Sequence, residues 1–188
     1  MRNIVEGVLA TLVVFFVIGL IVVGTGAIPS GADAKPSIVE QLAAKVSLNV
    51  SLRRESSGLA DPLPLTEQNL DRGVKLYAAN CAVCHGAADA RASTLSKGFY
   101  IKAPQLAKDG VEDDAETVTF LKLKHGIRFS AMPAFGGQLS DQDLWRLTAF
   151  LKHMDKLPQP VDAYWKKVPS AASPNVSMAS PDTALPYF

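Results

Sequence analysis

The 188-residue sequence has only two cysteines, three histidines and 7% aromatic residues. Two cysteines exclude a disulfide-dense scaffold and any four-cysteine zinc or iron–sulfur centre. A surplus of charge of one sign is also lacking, since 19 Lys and Arg stand against 18 Asp and Glu. That balance provides no basic footprint for nucleic acid. Proline is sparse until the end, with six of the twelve in residues 158–188. Within 65–157 no run has the pattern of a sheet-forming strand, so the predicted fold class is all-α.

Hydrophobicity is concentrated instead in one place. From Gly7 to Ile28 there are 22 residues without a charge. As a helix they cover about 33 Å, the thickness of a bilayer core. A cleaved signal peptide is the competing reading, because Ala32-Asp33-Ala34 has the small-x-small look of a cleavage site. The apolar run is longer than the roughly 7–15 residues of a signal core, which favours an uncleaved single-pass anchor. Arg2 and the N-terminal amine precede it, partly offset by Glu6. The positive-inside rule then puts everything after residue 30 outside the cytoplasm, on the periplasmic side of the inner membrane.

Residues 31–64 read as a connector. Ile38, Leu42 and Val46 recur at helical spacing, while Leu48, Val50 and Leu52 alternate as in a strand. This predicts a partly ordered linker whose apolar face rests on the membrane or a partner. Arg53 and Arg54 either meet lipid headgroups or are simply solvated. Asp61-Pro-Leu-Pro stops any helix.

Residues 65–157 read as a compact helical domain. Thr66 caps a helix running to about Asn80. Asp113 with Glu116 resembles a capping box for a second helix ending at His125-Gly126. Ser140 with Asp143 opens a third, with Leu144, Leu147, Leu151 and Met154 on one face and Pro158 closing it. Residues 158–188 form a Pro-, Ala- and Ser-rich tail unable to build a core of its own. Tyr164, Trp165 and the terminal Leu185-Pro-Tyr-Phe188 are candidate interface anchors, which makes the tail a candidate tether to a permanent partner.

The chemistry lies in Cys81-Ala82-Val83-Cys84-His85, a C-x-x-C-H motif. Two thiols at this spacing add across the vinyl groups of one haem, and the following histidine becomes the proximal iron ligand. A thioredoxin-like redox pair or half a zinc site leaves His85 unused, and no second ligand pair exists for zinc. The predicted cofactor is one covalent haem c. For the sixth ligand, Met132 sits 47 residues after His85 in Ser130-Ala-Met-Pro-Ala-Phe-Gly-Gly137. A Met-Pro in a Gly-rich loop is a poor core filler and a good ligand. His125, at a helix end before Gly126, is the rival. His153 is expected to be solvated.

With these residues in view, positions 66–157 resemble a class I c-type cytochrome of the small bacterial kind. The resemblance rests on Gly73-x-x-x-Tyr77-x-x-x-Cys81-x-x-Cys84-His85-Gly86, Ala103-Pro104-x-Leu106, Gly126 through Met132-Pro-x-Phe135, and Leu144-Trp145-x-Leu147-x-x-Phe150-Leu151. It implies that Gly73 and Tyr77 lie where the first domain helix crosses the last, near Leu147 and Phe150. It also implies that the Pro104 carbonyl accepts a hydrogen bond from His85 Nδ1, and that Leu106 and Phe135 pack on the haem. Trp145 either reaches a haem propionate or is a core aromatic.

Residues 61–157 depart from the one-signed docking ring of many soluble cytochromes, holding twelve basic and twelve acidic side chains. Small residues at the motif (Ala82, Val83, Ala87, Ala88) are expected at an exposed edge that a partner cofactor approaches. The expected function is single-electron transfer on the periplasmic side, as a non-catalytic subunit of a larger respiratory or photosynthetic membrane oxidoreductase. An enzyme or gas sensor in which Met132 detaches, and a structural subunit with a relic haem, are the competing readings.

Overall fold

The computed structural model describes residues 2–91 and 93–169. The chain divides into two units, residues 1–35 and 36–188. Among the described residues there are seven α-helices, one 3-10 turn and no strand, so the all-α expectation holds.

Helix α1, Arg2–Gly24, buries no residue, and its most apolar window has a mean hydropathy of 2.8. It is long and apolar enough to cross a membrane. Thr11 and Thr25 donate their hydroxyls back to Gly7 O and Ile21 O at 2.9 and 2.8 Å, so neither leaves an unpaired polar group.

In the second unit the connector, expected to be partly ordered, is helical over most of its length. Ile38–Glu55 is one helix, α2, opened by a capping box in which Ser37 Oγ accepts from Glu40 N and Glu40 Oε2 accepts from Ser37 N. Arg53 and Arg54 fall in its last turn, where cations complement the helix dipole. The apparent alternation at 48–52 gives way because Leu48 and Leu52, four apart, turn inward together onto the core. Ile38, Val39, Leu42, Val46 and Val50 stay exposed on the other side. Beyond α2, Leu63 N donates to Asp61 Oδ1 in the turn expected there.

Helix α3, Glu67–Asn80, and helix α6, Asp141–Lys152, are capped as predicted by Thr66 and Ser140. They form the most extensive helix pair. They cross at Gly73, where a Cβ would meet Arg146 O and lie 2.6 Å from Phe150 Cβ. Only a glycine allows that approach. Helix α5, Glu116–His125, ends where expected but starts on Ala115 rather than Asp113. Its entry loop is held instead by lysines: Lys122 Nζ meets Asp114 Oδ2 at 2.7 Å, and Lys152 Nζ donates to Glu112 O and Asp114 O.

Pro158 does not close α6, which ends at Lys152; it caps α7, Gln159–Trp165. Met154 is buried beyond the helix end. The first part of the expected tail therefore belongs to the fold, with Val161, Trp165 and Val168 buried in the core. Trp165 is a core residue and not an interface anchor, because it packs edge-on against Tyr77 and Phe150 at 5.2 and 5.3 Å. Tyr164 is partly exposed. The tail expectation for 170–188, Leu185 to Phe188 included, lies outside the described residues.

Candidate functional site

The C-x-x-C-H motif sits on α4, a single helical turn over Ala82–His85 that continues directly from α3. Cys81 N donates to Tyr77 O, while Cys84 N and His85 N both donate to Cys81 O. Gly86 ends the turn at a φ of 76°, and its carbonyl accepts the Tyr77 hydroxyl at 2.8 Å. Ser93 Oγ donates to Val83 O at 2.5 Å, drawing the following loop across the motif. Both thiols are unpaired.

The side chains are set for a particular chemistry. Pro104 O, which can only accept, lies 2.9 Å from His85 Nδ1, so that nitrogen carries the proton and Nε2 keeps its lone pair. Burial pushes the imidazole pKa below its ordinary value, against the bond to Pro104, and so favours the neutral ring. Burial also pushes the Cys81 thiol up to about 12 and raises Cys84. A protonated, buried thiol such as Cys81 is unsuited to disulfide exchange at neutral pH. No three His, Cys, Asp or Glu side chains converge as a metal site among the described residues.

The methionine loop is built on the end of α5. Gly126, at a φ of 65°, lies so near the loop that a Cβ would come within 2.7 Å of Met132 O and Ala134 N. Ile127 N donates to Met132 O at 3.2 Å, Met132 N donates to Ser130 Oγ at 3.1 Å, and Phe135 N donates to Leu123 O at 3.0 Å. Met132 is half-buried against the core, and Leu106 and Phe135 are each 8% exposed. Phe129 projects from the loop, fully exposed, with a φ of 61° and the Arg128 guanidinium 5.3 Å from its ring.

Other predicted residues fall differently. His125 pairs with Glu55, its Nε2 2.8 Å from Oε1. His153 is the half-buried C-cap of α6. Trp145 is 3% exposed and stacked on Phe120 at 4.1 Å, which makes it a core aromatic. Ala82 and Ala87 are core residues as well, so the exposed edge of the motif is Val83 with part of Ala88. Sequence reasoning missed Ser93 and Ser130. Ser130 had a local signal, a hydroxyl two residues before Met132.

These features describe a small helical domain with C-x-x-C-H on one turn and a pinned methionine loop. Known proteins share the pattern. Residues 68–151 match the family described as "Cytochrome C oxidase, cbb3-type, subunit III". Cytochrome c6 of Picosynechococcus sp. is 38% identical over 85 residues, covering 42% of this chain and 68% of that protein. Cytochrome c6 of Pyropia tenera is 32% identical over 77 residues, covering 40% and 81%. Thiosulfate dehydrogenase of Psychrobacter arcticus is 34% identical over 114 residues, covering 58% of this chain but only 32% of the dehydrogenase. The chain thus spans about a third of the thiosulfate dehydrogenase it matches. No solved structure matches. The chain belongs to the class I c-type cytochromes, a family of haem c proteins that transfer electrons.

Proposed function

We propose that the protein is a membrane-anchored monohaem cytochrome that passes single electrons on the periplasmic side of the inner membrane, as a non-catalytic subunit of a larger respiratory or photosynthetic complex. The observation that carries this is the His85 ring held by Pro104 O beside two free thiols on one turn. Cys81 and Cys84 would hold the haem covalently, and His85 Nε2, its tautomer fixed by Pro104, would bind the iron. Met132 would be the second iron ligand, and Leu106 and Phe135 would line the haem as apolar walls. Held by His and Met, haem c supplies one-electron exchange at a potential above that of a bis-His site. Ser130 and Gly126 orient the Met132 backbone, and the buried walls exclude water.

Three features support the wider setting. Helix α1 has the length and composition of a span. The exposed aliphatic face of α2 and the bare Phe129 offer surfaces for a lasting partner. A domain without net charge relies little on long-range steering, which suits a fixed partner.

Acid–acetone extraction tests the cofactor: colour should stay with the polypeptide, and freely extracted haem rules the assignment out. Met132→Ala should lower the reduction potential and abolish the Met–iron charge-transfer band, while His125→Ala keeps that band. The opposite result transfers the distal role to His125. A native N-terminus at Lys35 would make the protein a soluble periplasmic carrier. Copurification from detergent, with the bound proteins identified, tests membership of a complex.

The likeness to thiosulfate dehydrogenase favours a second reading, in which the chain accepts electrons from oxidation of an inorganic sulfur compound. Reduction of the purified membrane complex by thiosulfate, followed at the haem, tests it.

A further inference from the structure

We propose that α2 is a strap that holds together the two segments supporting the ligand residues, the stretch that presents Pro104 to His85 and the end of α5 on which the Met132 loop rests, with Glu40, Leu52 and Glu55 as positioning residues. The inference rests on the haem reading above. At one end of α2, Glu40 Oε1 accepts from Tyr100 Oη at 3.1 Å. Tyr100 stands four residues before Pro104, in the segment that presents the Pro104 carbonyl to His85. At the other end, Glu55 Oε1 lies 2.8 Å from His125 Nε2. His125 is the last residue of α5, and Gly126 beyond it is the support against which Met132 O and Ala134 N rest. Between these ends, Leu52 is 5% exposed and belongs to the core.

Glu40 and Glu55 are 15 residues apart, about 22 Å along a helix. One helix therefore touches the His85 side of the site with its first turn and the Met132 side with its last. Detaching Met132 would require the 127–136 loop to swing out, and that loop is hydrogen-bonded to α5 through Phe135 N and Gly136 N. Any displacement that carries the end of α5 away breaks the Glu55 contact and pulls on buried Leu52. The polar contacts are exposed and individually weak. Leu52 supplies the grip, and the two glutamates set where each end is held.

The test uses the full chain in detergent, with three readouts: the Met–iron charge-transfer band of the oxidised protein, the rate of CO binding to the reduced protein, and thermal melting. Combining Glu40→Ala, Leu52→Ser and Glu55→Ala should raise the CO rate at least about tenfold, and the charge-transfer band should be weaker than in the parent. Should Leu52→Ser prevent folding, the double variant Glu40→Ala with Glu55→Ala leaves the core intact and must still raise the CO rate. Glu55→Gln, which keeps an acceptor for His125, should restore parent behaviour at that end. Lys45→Ala, on an exposed position of α2, should match the parent. A double variant with the parent's CO rate and band overturns the strap while leaving the haem reading intact. A parent chain without covalent haem overturns both.

Discussion

Tyr77 links the core to the motif through one hydroxyl. Its ring lies edge-on to Phe150 at 5.4 Å, and its Oη donates to Gly86 O just after His85. Tyr77→Phe preserves the packing and leaves a buried carbonyl without its donor, so chemical denaturation should show a loss of about 1–3 kcal/mol. A second residue-scale expectation concerns acid. Arg72 holds the Asp143 carboxyl below its ordinary value, partial burial opposes this, and Arg146 adds to it. A carboxyl lowered in the folded state stabilises the fold fully above the ordinary carboxylate range. It loses that contribution as pH falls through the lowered value. The melting temperature of Asp143→Asn should therefore fall less steeply than that of the parent over the acid limb. Parallel acid limbs would show that the arginine contacts add nothing.

At the scale of elements, the α3–α6 crossing has the least tolerance. Gly73→Ala inserts a methyl where Arg146 O and Phe150 Cβ already stand, and overpacking of this kind costs about 1–3 kcal/mol. Ser140→Ala, by contrast, removes only the cap of α6 and should cost about 1 kcal/mol. Melts of the two variants side by side should rank them in that order. Both helices were legible in the sequence because their signals are local: a capping hydroxyl, a 3.6-residue apolar period and a stop. The candidate site was legible for the same reason, since Cys81, Cys84, His85 and Met132 lie in two short motifs. Helix α2 carried an equally local signal in Ser37 and Glu40, but an accidental alternation at 48–52 masked it. The contacts that dock α2 were not legible at all. Glu55 and His125 are 70 residues apart, and a side-chain contact at that separation leaves no periodic trace. Nor was α5's true start, where Lys152 from a distant helix does the work expected of Asp113.

The whole molecule is divided differently from its composition. Proline and alanine enrichment begins at residue 158, yet the fold continues through Val168, because Pro158 and Pro160 sit at the start of α7 where a missing N–H costs nothing. From there α7 sends Trp165 into the Tyr77–Phe150 pair, directly behind the motif helix. Two truncations separate fold from tail. A chain ending at Leu157 loses Val161, Trp165 and Val168 from the core, and Trp165→Ala alone should cost about 3–5 kcal/mol. Such a chain should melt far below the parent and attach haem poorly. A chain ending at Pro169 keeps all three residues. It should melt with the parent and show an unchanged haem spectrum. If 170–188 tether the cytochrome to a larger assembly, this second truncation should release it from detergent-purified complexes with the haem domain intact. Copurification at parent levels would instead leave attachment to α1, the aliphatic face of α2 or the Phe129 loop. Those alternatives separate in turn, because charge introduced at Val46 alters only the α2 face and Phe129→Ser only the loop.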